Sequence, residues 1–183
     1  MFSIHQHLLQ PANFLPSPNC DDRPSPDDVS LLVIHNISLP PGQFGNRYIE
    51  DFFCNQLDCT AHPYFDEIKS LRVSSHLLIK RRGEVVQFVP FDRRAWHAGQ
   101  SEYGGRSACN DFSIGIELEG ADDQEFTVAQ YQQLAAIINT LLTCYSQLSR
   151  DRIVGHSDIA PGRKTDPGPL FDWHTLNRFL SQG

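Results

Sequence analysis

Apolar and polar positions along this chain alternate with two periods, and the two periods mark strands and helices. Residues 30–37 are a continuous apolar run, the pattern of a strand buried on both faces. Residues 75–80 and 85–89 flank Arg81-Arg82-Gly83-Glu84 and predict a β-hairpin. Residues 112–118 alternate strictly, with Ile114, Ile116 and Leu118 on one face and Ser113, Gly115 and Glu117 on the other. Over residues 44–57, Tyr48, Ile49, Phe52, Phe53 and Leu57 recur at helical spacing. Thr127-Val128-Ala129-Gln130 is a capping-box signature. It opens a helix whose apolar stripe runs from Val128 through Tyr131, Leu134, Ile138 and Leu141 to Tyr145. Residues 152–154 read as a short strand ending at Gly155-His156, and a last short helix is expected near Asp172. Pro16, Pro18 and Pro24 oppose helix, so residues 1–28 are expected to form an irregular arm packed on the same domain. Strands interleaved with helices predict a single α/β domain over residues 1–183, a central mixed β-sheet flanked by helices.

Composition narrows the class. A length of 183 residues suits one domain. With 40% hydrophobic and 20% charged residues, the chain is neither disordered nor membrane-embedded. No stretch approaches the ~20 apolar residues of a membrane span, so no membrane partner is expected. Acidic residues number 22 against 15 basic ones, a net charge of −7. Such a chain lacks the basic footprint that duplex DNA requires, and no nucleic-acid partner is expected. The first residues, Met1-Phe2-Ser3-Ile4-His5-Gln6-His7, carry neither a basic leader nor a signal-peptide core. Five scattered cysteines fit a reducing compartment rather than a disulfide framework. A cytoplasmic protein is expected, and a monomer, because no apolar stripe is left over.

Candidate chemistry enters with the eight histidines. His35 ends the apolar run Leu31-Leu32-Val33-Ile34; a buried histidine needs a hydrogen-bond partner or a metal, and alone it reads first as a core histidine bonded to backbone. Residues 156–168 turn through Pro161-Gly162 and carry three possible ligands (His156, Asp158, Asp166) and two adjacent cations (Arg163, Lys164). By itself this segment also fits an ordinary solvated loop. Glu117 lies on the small-residue face of its strand with open space in front of it, while Glu119 fits a solvent-facing position. Two His and one Asp would leave a fourth metal position for water, as in a catalytic zinc site. A nearby carboxylate would move the proton and a lysine would stabilise an oxyanion. His97, beside Trp96, is the further histidine expected nearest a cleft.

Four segments carry a resemblance: Leu-Val-Ile-His-Asn (32–36), Arg-Ala-Trp-His-Ala-Gly (94–99), Cys-Asn-Asp-Phe-Ser-Ile-Gly-Ile-Glu-Leu-Glu-Gly (109–120) and Gly-His-Ser-Asp-Ile-Ala-Pro-Gly-Arg-Lys-Thr-Asp-Pro-Gly (155–168). They occur in family order, and the sequence resembles the AmpD-type N-acetylmuramoyl-L-alanine amidases of the zinc amidase and peptidoglycan-recognition superfamily. The resemblance implies a Zn2+ site formed by His35, His156 and Asp166, with Glu117 as general acid/base and Lys164 as the oxyanion-stabilising cation. It implies that Asn36, Arg72, Trp96 and Arg163 contact a small anionic muropeptide. Arg72 and Arg163 would suit its carboxylates, and Trp96 would offer an apolar face to the sugar or lactyl group. Where some relatives carry a basic residue before Cys-Asn-Asp-Phe, this chain has Ala108, with Arg106 two positions away. The implied reaction is hydrolysis of the amide between the lactyl group of (1,6-anhydro-)N-acetylmuramic acid and L-alanine, in cytoplasmic recycling of peptidoglycan. In this family, loss of activity lets anhydro-muropeptides accumulate, and these can induce β-lactamase. Alternatives are an amidase acting on intact peptidoglycan and a non-catalytic muropeptide-binding protein. On a chain of net charge −7, Arg72, Arg106, Arg163, Lys164 and the metal would have to make one locally positive pocket.

Overall fold

Side-chain parity along the strands decides which layer each residue joins. The structure is a computed structural model, and it describes residues 1–182. Six strands form one mixed sheet: β1 (Asn13–Phe14), β2 (Leu31–Ile37), β3 (Leu77–Ile79), β4 (Val85–Gln87), β5 (Ser113–Glu119) and β6 (Ile153–Gly155). Their spatial order is β6-β2-β5-β3-β4-β1. Strand β5 runs parallel to both β2 and β3, and β6 runs parallel to β2. The expected hairpin supplies the antiparallel pair β3–β4, and β1 adds in parallel beyond it.

Among the described residues, five α-helices complete the fold: α1 (Tyr48–Phe53), α2 (Phe65–Ile68), α3 (Val128–Cys144), α4 (His156–Ile159) and α5 (Trp173–Leu180). Leu32 and Ile34 of β2, Leu77 and Ile79 of β3, and Ile114, Ile116 and Leu118 of β5 pack in one core with α3 and α5. The intervening residues face the other way. Leu31 and Val33 pack there with Ala98, Phe112 and Ile159. Leu78 and Val86 pack with Phe53 of α1 and Phe65 of α2. By the same period of two, His35 and Glu117 fall on this second face, opposite α3.

The capping box forms as its sequence predicts: Thr127 Oγ1 accepts from Gln130 N and Gln130 Oε1 accepts from Thr127 N, each at 3.1 Å. Val128 departs from the expected stripe and is 61% exposed. The start of α3 sits at the strand ends, where the buried side chain of Gln130 donates to the carbonyls of Ile79 and Glu119. Helix α1 is shorter than its apolar pattern suggests, because Asn55 turns the chain with φ 58° just after it.

The N-terminal arm is less irregular than expected. Ser3–His5 pairs with Leu8–Gln10, β1 joins the sheet, and Cys20–Asp22 pairs with Arg93–Ala95. The extended backbone that proline imposes on its neighbours is also what strand edges accept. Arg23 pins the arm: its buried guanidinium donates to the carbonyls of Phe91, Asn110, Asp111 and Ser113.

Candidate active site

The site begins as a register pair, since His35 of β2 stands directly opposite Glu117 of β5 in the parallel ladder. The third participant arrives from β6, which ends at Gly155, so that His156 opens α4 beside β2. Gly155 permits the close approach of the next loop: a Cβ there would lie 2.7 Å from Pro167 Cδ. Ser157 N donates to the Asp166 carbonyl at 2.9 Å, which folds residues 163–168 back over the turn.

Three ligand atoms converge as a result. His35 Nδ1 lies 3.0 Å from His156 Nδ1, and Asp166 Oδ2 lies 2.9 Å from the first and 3.0 Å from the second. Among the described residues, these form the one group of three or more His, Cys, Asp or Glu residues whose ligand atoms lie within 4.8 Å of one another. The outer ring nitrogens are already engaged, His35 Nε2 with His97 Nδ1 at 2.9 Å and His156 Nε2 with the Ala98 carbonyl at 3.0 Å. Asp158 stays apart; its Oδ2 accepts from Gly155 N.

Electrostatics separate the groups. Burial pushes His35 down to about 4. Burial would raise the Asp166 carboxyl, but its hydrogen bonds with His156 and His35 outweigh this and hold it below the usual carboxylate range. Glu117 moves the opposite way. Burial, and then the negative charge of Asp166, push its carboxyl well above the ordinary value, only partly offset by Lys164. Its Oε2 is buried without a hydrogen-bond partner. One carboxylate is thus fixed as an anion, and the other is poised to hold or release a proton.

These groups open on a cavity of about 790 Å³. Lys164, Arg163, Asn36 and Trp96 all line it, as do the apolar side chains of Phe52 and Leu71. Asn36 Nδ2 donates to Asp122 Oδ1 at 2.7 Å, and Arg163 Nη2 donates to the Ala98 and Gln100 carbonyls. Trp96 is half-buried, and its Nε1 donates to Asp21.

Two expected cations fall outside the cavity lining. Arg72 turns its Nη1 onto the carbonyls of Lys69 and Leu71. Arg106 pairs with Asp28 and lies over the Phe112 ring. Arg163 and Lys164 thus line the main cavity, Arg72 lines a small adjoining one, and Arg106 lines neither. Glu119 is also unlike its expectation: it is 1% exposed, and its carboxylate accepts from Gly45 N and Arg81 N, closing a loop rather than facing water.

Sequence reading missed His76 and Asn110. His76 Nδ1 accepts from Gly115 N, and Nε2 donates to the Arg93 carbonyl. Asn110 Oδ1 accepts from the backbone of both His97 and Ala98. Gly115, a glycine inside a strand, is the available signal of a close approach here, and the His97 ring lies against it.

His35, His156 and Asp166, which could hold a metal ion, thus stand beside a buried glutamate on one face of a mixed sheet. A family model for N-acetylmuramoyl-L-alanine amidase matches residues 25–169, and the chain belongs to that family. It is 58% identical over 179 residues to 1,6-anhydro-N-acetylmuramyl-L-alanine amidase AmpD of Escherichia coli K12, covering 98% of this chain and 97% of that one. A crystal structure of a selenomethionine AmpD derivative superposes with a TM-score of 0.94 at 55% identity, covering 97% of this chain and 98% of that one. The amidase AmiD from E. coli, solved with the substrate anhydro-N-acetylmuramic acid-L-Ala-D-γ-Glu-L-Lys, matches with a TM-score of 0.61 at 28% identity, covering 97% of this chain and 65% of that one.

Proposed function

We propose that the protein hydrolyses the amide between the lactyl group of 1,6-anhydro-N-acetylmuramic acid and L-alanine, as a zinc enzyme of cytoplasmic peptidoglycan recycling. The observation that carries this reading is the meeting of His35, His156, Asp166 and a proton-poised Glu117 in one cavity. The similarity to AmpD and to substrate-bound AmiD supports the choice of substrate.

The donor set fits zinc. Two imidazole nitrogens and a carboxylate oxygen face one another, and each ring has its other nitrogen occupied. When bound, the metal supplies Lewis-acid polarisation of the scissile carbonyl and makes the attacking water more acidic.

The remaining work belongs to the chain. Glu117 takes the proton from the attacking water and returns it to the alanine nitrogen as the C–N bond breaks. Its proton affinity, raised by burial, suits the acid half of this role. Lys164 lines the same cavity and offsets the negative charge that develops on the carbonyl oxygen. Trp96 presents an apolar face to the sugar or lactyl group, and Asn36 is held at the cavity wall by Asp122. Arg163 spends Nη2 on two carbonyls and keeps its other N–H groups for a stem-peptide carboxylate. Arg72 borders a small neighbouring cavity of about 60 Å³ that shares Phe52 and Leu71 with the main one, from which it would meet a longer peptide.

The test is hydrolysis of a defined anhydro-muropeptide by metal-stripped protein, with and without added zinc. Zinc-restored release of the peptide supports the proposal. Binding without cleavage, or lysis of insoluble sacculi with no preference for the anhydro sugar, overturns it.

A further inference from the structure

We propose that His97 is a positioning residue for the metal centre: its imidazole accepts a hydrogen bond from His35 and so fixes which nitrogen His35 turns toward the ion. The inference rests on His35, His156 and Asp166 being the ligand set.

His35 directs Nδ1 at His156 and Asp166, so its proton belongs on Nε2. That nitrogen is 2.9 Å from His97 Nδ1, which must therefore accept. The His97 proton then sits on Nε2, 3.1 Å from Ser113 Oγ. A chain His35–His97–Ser113 thus locks both tautomers, the role that an outer hydrogen-bond partner plays for a metal-ligating histidine.

The surroundings are shaped to hold this ring. A Cβ on Gly115 would lie 2.5 Å from His97 Cγ, so the imidazole rests on bare backbone of β5, between Ser113 and Glu117. Asn110 Oδ1 accepts from His97 N at 3.1 Å and from Ala98 N at 2.8 Å, clamping the segment from below. The Ala98 carbonyl then accepts from His156 Nε2 at 3.0 Å. Two consecutive residues orient both imidazole ligands, one through its ring and one through its backbone.

The experiment measures zinc dissociation constants on metal-stripped protein, by competition with a chromophoric chelator. It compares wild type with His97→Leu, His97→Asn, Ser113→Ala and Asp166→Ala. Leucine keeps bulk over Gly115 but offers no acceptor, whereas asparagine keeps an acceptor near the place of Nδ1. His97→Leu is expected to weaken zinc binding about 10- to 100-fold, with His97→Asn recovering most of the loss. Metal-free melting temperatures report whether each variant is folded. Should the leucine variant fail to fold, Ser113→Ala carries the test, with a smaller loss in the same direction expected and unchanged affinity counting against the chain. Wild-type affinity in His97→Leu overturns the proposal, and so does an equal loss in the Leu and Asn variants, which would assign the effect to packing. If Asp166→Ala binds zinc as tightly as wild type, the ligand set itself is wrong and the role of His97 falls with it. Loss in Asp166→Ala with none in His97→Leu removes His97 alone.

Discussion

The proposed proton-transfer role of Glu117 is in tension with stability, because the burial that raises its proton affinity also penalises its charged form. Replacing it with glutamine removes the proposed proton-transfer group while keeping its shape. Turnover of an anhydro-muropeptide by Glu117→Gln is expected to fall about 10²- to 10⁴-fold, with zinc content by elemental analysis unchanged. The same variant is expected to be the more stable protein at neutral pH. The folded-state pKa of Glu117 lies above its unfolded value, so between those two values the folded chain holds more protons than the unfolded one. Its contribution is least unfavourable below the ordinary carboxylate range and becomes a penalty as pH rises through the folded value. Metal-free Glu117→Gln is therefore expected to exceed wild type by about 1 kcal/mol at pH 7, with the gap closing toward acid. Urea melts at several pH values measure this. A gap that widens toward acid would reverse the sign and discount burial as the cause.

Elements show which parts of the molecule could be read in advance. The strict alternation of residues 112–118 placed Ile116 and Glu117 on opposite faces, and the structure keeps them there because one face meets α3 and the other the cavity. The capping box at Thr127 was equally legible, since it depends only on residues three apart. Thr127→Ala is expected to cost about 1 kcal/mol in a denaturant melt; no loss would mean that the Gln130 contacts to Ile79 and Glu119 hold the helix start without it. What escaped the sequence depends on distant partners. Nothing local to Glu119 announces the amides of Gly45 and Arg81 that bury it. Nothing local to residues 20–22 announces the edge strand at 93–95. The candidate ligands were legible as a set, but their convergence comes from the β6-β2-β5 order and the fold-back of residues 163–168, which no spacing encodes.

At the scale of the whole molecule, the net charge of −7 is answered only locally, with Arg163 and Lys164 at the cavity and Arg106 spent on Asp28. The arm and the sheet are tied by a different cation. Burial lowers Arg23 to about 10, and the side chain remains a charged donor to four carbonyls across residues 91–113. Arg23→Met is expected to cost about 3 kcal/mol, because the methionine fills part of the space but leaves buried carbonyls without donors. A fall in melting temperature together with early protease cleavage inside residues 1–28 would register it, and an unchanged melt would show that the arm is held by its strands alone. The pairing of His35 with Glu117 has a consequence of another kind. The two residues share the period that sorts the apolar core, so a slip of one residue in either strand would turn His35 or Glu117 toward α3 and its core residues toward the cavity. With the proposed roles of His35 and Glu117, a misaligned chain would be silent rather than altered in specificity, and catalytic output would serve as a count of correctly assembled molecules.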